Sequence, residues 1–238
     1  MIRTKPIQVF VRHCFYSPNT ELRGHARPTW FDKAAVFENL ISTTDHSLAD
    51  IHVVYDEHFG GLQDSFLKSY KKITVINAGN EANSFLKTLD LVYSSDFSDE
   101  TIIYLLEDDY LHRPNWCSIL LEGFLLPIEY VSLYDHLDKY VGKQYKSLSS
   151  QLFATKSCHW RTTPSTTNTY ASRFSRLKED KAIHKHYSES AQKGVSRDHE
   201  KFVYLGKSGR RLVTSIPGYS TQCDDMQSPT YDWSTLIR

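Results

Sequence analysis

The chain has 238 residues, and its 28 Lys+Arg balance 28 Asp+Glu, so the broad basic field of a general nucleic-acid binder is absent and nucleic acid is not expected as a partner. A hydrophobic share of 40%, with 15 Tyr and 12 Phe, speaks against disorder and for one folded domain with a sizeable core. No run of about 18 apolar residues occurs, and the N-terminal "MIRTKPIQVFVRHCF" is interrupted by Arg12 and His13, unlike a secretory signal, so a soluble, cytoplasmic protein is expected.

Ile7 to Val11 is a short β-branched and aromatic run, followed by a polar loop through Pro28 that contains Ser17 and Arg27. From Thr29 onward Phe31, Ala34, Ala35, Phe37, Leu40 and Ile41 keep helical spacing, and Asp50 to Tyr55 reads as a second strand closed by Gly60 and Gly61. A third strand, Ile73 to Ile76, leads through Gly79 and Asn80 into a helix whose apolar face is Phe85, Leu86, Leu89, Val92 and Tyr93, capped by Asn80 or Asn83. Thr101 to Leu106 is apolar throughout, as suits a strand buried on both faces, and it ends at Glu107, Asp108 and Asp109. Strands and helices alternate over this half, the pattern of an α/β sheet whose ligands sit beyond the carboxyl ends of its strands.

After Pro114 a helix is expected up to Pro127, then a strand in "YVSLYDH". Residues 151 to 174, rich in Thr, Ser and aromatics, suggest a β-hairpin, Lys178 to Gln192 a helix, and Asp198 the start of another. Cys14, Cys117, Cys158 and Cys223 show neither zinc spacing nor a disulfide framework.

Alternation along a strand puts Glu107 and Asp109 on one face and Asp108 on the other. Hard oxygen ligands at that spacing suit Mn²⁺ or Mg²⁺, which takes one or two carboxylates and fills its shell with water and phosphate. Taken alone, the triplet reads as readily as a solvated acidic turn. Arg12 and Arg27 suit a phosphate, and equally a solvated loop; Gly79 and Asn80 suit an anion at a helix N-terminus, and equally an ordinary turn.

The order of an apolar strand, EDD and "YLHRPNW", preceded by "GNEANS", resembles the DXD-type region of GT-A fold glycosyltransferases, which use nucleotide-sugar donors. The resemblance implies a GT-A-like α/β single domain with a mostly parallel central sheet flanked by helices and a smaller β-hairpin element. Residues 1–113 would be the nucleotide-sugar-binding half and 114–238 the acceptor-binding half. It implies metal binding by Asp109, donor contacts from Glu107 or Asp108, and nucleotide contacts from the loop holding Arg12, Ser17 and Arg27. In "SRDHEKF", Asp198 or Glu200 would remove the proton of an acceptor hydroxyl, on a glycan or another alcohol, in an inverting transfer. In the segment 214–225, Gln222 stands where such enzymes sometimes supply a metal-binding His. Trp160, Tyr219 and Trp233 could form a sugar platform, and Thr166, Thr167 and Asn168 could bond sugar or acceptor; packing and turn roles explain them too. Two rivals remain: a metal-dependent nucleotidyltransferase or phosphohydrolase, though no GxxxxGK[ST] loop occurs, and a non-catalytic carbohydrate-binding protein.

Overall fold

In β1 (Ile7–Cys14) every residue but Cys14 is buried, because the strand lies inside a sheet covered on both faces. A computed structural model describes residues 4–16, 26–191 and 194–237; Ser17 and Gln192 lie outside them. The other strands are β2 (Ala49–Asp56), β3 (Ile73–Ile76), β4 (Ile102–Glu107), β5 (Tyr110–His112), β6 (Tyr130–Ser132), β7 (Leu152–Ala154), β8 (His159–Thr162), β9 (Tyr170–Arg173), β10 (Leu212–Ile216) and β11 (Ser220–Gln222). The helices are α1 (Lys33–Thr43), α2 (Glu81–Tyr93), α3 (Trp116–Gly123), α4 (Asp138–Val141), α5 (Phe174–Glu179), α6 (Lys181–Glu189) and α7 (Asp198–Lys207).

Nine strands form one sheet in the order β3-β2-β1-β4-β9-β6-β10-β8-β7, and β5 pairs with β11 in a separate two-stranded sheet. β1 to β4 pair in parallel; β9 enters antiparallel between β4 and β6, and β10 runs parallel to β6. Only β9 and β8 oppose the direction the other strands of this sheet share, which makes the sheet mostly parallel, as expected.

Side-chain alternation divides the core. Ile7, Val9, Val11, Tyr104 and Leu106 pack with Phe37 and Leu40 of α1 and Trp116 and Leu120 of α3. Phe10, Ile103 and Leu105 pack on the opposite face with Phe85 and Leu89 of α2, Leu177 of α5 and Phe202 of α7. Each fully buried side chain of this kind, such as Phe85 with no exposed surface, contributes about 2–3 kcal/mol.

Several boundaries differ from the sequence expectations. α1 begins only at Lys33, because Asp32 accepts from the Ala35 amide and so caps the helix there. Asn80, not Asn83, caps α2, its side chain accepting from the Asn83 amide at 2.9 Å. The hairpin is confined to β7 and β8; residues 170–173 leave it to pair between β4 and β6, where their backbone groups find partners on both sides. The helix expected over 178–192 is two helices, α5 and α6, which meet at Asp180. Buried Asp180 accepts from Tyr130 and pairs with Arg210, tying that junction to the sheet.

Candidate functional site

β4 delivers the three carboxylates to the C-terminal edge of the sheet. Its alternation continues as far as Asp108: Glu107 turns toward the face of α2, and Asp108 toward the face of α1. The chain then turns at Asp108 and Asp109 before β5, so Asp109 does not share Glu107's environment as simple strand alternation predicts. Each acid meets a different cation of the chain. Glu107 lies 3.1 Å from Arg12, Asp108 2.6 Å from Lys33, and Asp109 2.6 Å from Arg27. These pairs offset the repulsion that three adjacent carboxylates would otherwise suffer in a mostly buried place.

Asp108 also accepts from the Cys14 amide at 3.2 Å. Burial alone would raise its pKa, but Lys33, His13 and the Cys14 amide more than compensate, so its carboxyl lies below the ordinary range. His13, 3.7 Å away, is pushed down to about 4 by burial and is neutral at pH 7, so Lys33 is the cation that matters. The sequence does not single out Lys33, because its place as the first residue of α1 emerges only with the helix start that Asp32 fixes; there the helix dipole disfavours a cation, and the Asp108 carboxylate offsets it.

Asp109 is held by the C-terminal segment. Gln222 donates to its Oδ2 at 3.0 Å, the Cys223 amide donates to its backbone carbonyl at 2.8 Å, and Arg27 bonds the Cys223 carbonyl at 2.7 Å. Its other oxygen, Oδ1, is buried with no hydrogen-bond partner among the described residues. Among the described residues no group of three or more His, Cys, Asp or Glu could hold a metal by itself.

Arg12 does more than meet Glu107. It donates to the Glu81 side chain and carbonyl, each at 3.2 Å, and lies 5.2 Å from the ring of Phe85. Gly79 has φ +79°, a left-handed conformation that favours glycine, and Asn80 is occupied as the cap of α2. Both fit the turn role the sequence also allowed.

Asp198 is the first residue of α7, and Glu200 in the same turn pairs with Arg197 at 3.3 Å while remaining about half exposed. Thr166 meets Ser132, Thr167 meets Tyr110, and Asn168 meets Glu81 and Lys201, so all three already have intramolecular partners. Trp160 and Trp233 are almost wholly buried, and Tyr219 is covered by Arg113 at 4.5 Å; they pack and form no shared platform. A cavity of about 430 Å³ opens beside Lys33, lined by His13, Phe15, Phe31, Asp64 and Phe66 among others.

No family model matches the chain, and no curated protein matches it. Among solved structures it is similar to the crystal structure of a "putative nucleotide-diphospho-sugar transferase" from Desulfovibrio desulfuricans G20, with a TM-score of 0.51 and 9% identity over 89% of this chain and 80% of that one. At that identity the likeness is one of fold, and it supports the GT-A-like architecture expected from the order of motifs. No helix among the described residues is long and apolar enough to cross a membrane.

Proposed function

We propose that the chain is a glycosyltransferase that moves a sugar from a nucleoside diphosphate sugar to a hydroxyl acceptor. The observation that carries this is the carboxyl edge of β4: three carboxylates and the cations Arg12, Lys33 and Arg27 meet at one rim, on a fold similar to that of the "putative nucleotide-diphospho-sugar transferase" above. Open α/β sheets bind ligands beyond this edge, and guanidinium and ammonium groups suit a diphosphate. The cavity beside Lys33 supports the same reading, since about 430 Å³ with aromatic walls suits a nucleoside.

A divalent cation fits the donor set in one particular way. A buried carboxylate oxygen without a partner is costly, so Oδ1 of Asp109 is a natural ligand. One carboxylate is enough only if phosphate and water complete the shell. Mn²⁺ or Mg²⁺ would be held by Asp109 and, when bound, would offset the charge of the departing diphosphate. The chain's own residues do the rest. Arg27 orients Asp109, Lys33 holds Asp108 ionised, and Asp198 takes the acceptor proton as the hydroxyl attacks the anomeric carbon. Asp198 is preferred to Glu200 because it acts electrostatically on Lys201, the same buried group that feels Glu107 and Arg12.

A donor screen with nucleotide sugars, with and without Mn²⁺, tests this. One donor should be turned over, and Asp109→Ala should lower that turnover by about 100-fold or more. Failure of calorimetry to detect any nucleoside diphosphate binding would overturn the proposal. Mn²⁺ alone should bind weakly and tighten when a nucleoside diphosphate is added, because the described residues offer too few ligands by themselves.

A further inference from the structure

Lys201 lies on α7, three residues after Asp198, and only 1% of its surface is exposed. A buried ammonium needs partners, and this one has a chain of them. It donates to Asn168 Oδ1 at 2.5 Å, and Asn168 Nδ2 donates to Glu81 at 3.0 Å. Glu81 accepts from Arg12 at 3.2 Å, and Arg12 lies 3.1 Å from Glu107. The second Glu81 oxygen accepts from the Ser196 amide at 2.7 Å, and the Ala82 amide donates to the Gly194 carbonyl, so α2 also grips the segment that enters α7. The rings of Phe85, Tyr170 and Phe202 surround the ammonium at 4.7, 4.8 and 5.1 Å. Glu107 on β4 is thus connected to the first turn of α7 through four side chains, those of Arg12, Glu81, Asn168 and Lys201.

We propose that Lys201 is a positioning residue whose charge, acting through Asn168, Glu81 and Arg12, fixes the first turn of α7, and so the Asp198 carboxylate, relative to the acidic rim. The proposal rests on the glycosyltransferase reading for the role of Asp198; the anchoring of α7 stands on geometry alone. Residues i and i+3 are neighbours on a helix, so Asp198 shares a face with Lys201, and a shift of one turn would move both.

The environment makes the anchor sensitive to pH. Burial, offset in part by Asp198, Glu81 and Glu107 and reinforced by Arg12, lowers Lys201 to about 8. Two neighbouring groups, Tyr170 and His184, do not change charge near that pH. Burial pushes Tyr170 of β9 far up and His184 of α6 well down, so both stay neutral. As pH rises through about 8 the ammonium loses its proton, its attraction for Asp198, Glu81 and Glu107 ends, and the anchor loosens.

The test compares the unmodified chain with Lys201→Met and Asn168→Asp in sugar transfer over pH 6 to 10. We expect kcat to fall on the alkaline side near pH 8, and Lys201→Met to lower kcat about tenfold with little change in donor KM and no such limb. Asn168→Asp gives up the Nδ2 donation to Glu81 but places a carboxylate against the ammonium, and the added charge should move the limb up by about one pH unit. If Lys201→Met does not fold, the limb of Asn168→Asp decides. A limb unmoved in both variants overturns the pH-dependent role. Amide hydrogen exchange over residues 194–201 reads the anchor without activity: exchange should be about tenfold faster in Lys201→Met, and unchanged exchange overturns the anchor. If no donor is turned over by the unmodified chain, the catalytic reading fails, while hydrogen exchange still decides the anchor.

Discussion

Asp108 depends on Lys33 for its charge. Both side chains are mostly buried, at 13% and 20% exposure, so removing one leaves the other without its counter-ion in a poor solvent for ions. Lys33→Met should therefore destabilise the fold by about 2 kcal/mol, the usual buried-pair figure being discounted for partial solvent access. The sign with pH follows from the direction of the shift. The folded-state pKa of Asp108 is depressed below its ordinary 3.8, so its contribution is complete above that pH and is lost as pH falls through the folded value. Urea unfolding of the two proteins should show a gap at pH 7 that narrows below about pH 4. A constant gap down to pH 2 would mean that Lys33 acts through packing alone. The carboxylates were legible from the sequence as a triplet, and their partners were not. Residues 12, 27 and 33 lie roughly 75 or more positions away from the triplet in the chain, and only the parallel register of β1 beside β4 sets Arg12 opposite Glu107.

The element that holds the triplet from below is the two-stranded sheet of β5 and β11. β5 has three residues, and its outer partner is a side chain. Asn39, on the inner face of α1 and only 6% exposed, donates to the His112 carbonyl at 3.1 Å and accepts from the His112 amide at 2.8 Å. It completes the strand's bonding as another strand would. Asn39→Ala leaves both backbone groups buried without partners and should cost about 3 kcal/mol. Thermal unfolding checks the loss, and a variant within 0.5 kcal/mol of the parent would show that water replaces the clamp. Long elements were readable because period and composition agree: β1 to β4 and α2 fall close to where the apolar pattern predicts. β5 and β11 escaped detection because three-residue strands carry no period and their pairing is set by tertiary contact. Residues 151–174 misled for a related reason: strand composition was right, but which strand β9 pairs with is a long-range decision.

Over the whole molecule, the C-terminal segment closes the structure beneath the acidic turn. Trp233 packs against Val36 of α1, Leu111 of β5 and Cys223, and its indole donates to the Ser228 carbonyl at 2.8 Å. Cys223 in turn bonds Asp109 through its amide and Arg27 through its carbonyl. The same tryptophan that read as a possible sugar platform is thus a bolt that keeps the tail under the site. The sequence did not reveal this, since an aromatic near a terminus looks alike whether it is buried or exposed. Trp233→Ala removes a side chain with 1% exposure and should cost about 3–5 kcal/mol, because the surrounding chain can only partly collapse onto the space. The loss should be local before it is global. Burial holds the Cys223 thiol far above its ordinary pKa and out of reach of reagents, as it also raises Cys117, to about 12, in the core on the opposite side of β5. Loosening the tail should therefore expose Cys223 to a thiol reagent under native conditions while Cys117 stays protected. Labelling followed by peptide mass analysis reads the two sites separately. Equal labelling of both would indicate global unfolding, and labelling of neither would show that the tail is held without Trp233, with Asp109 keeping its support from Gln222 and Arg27.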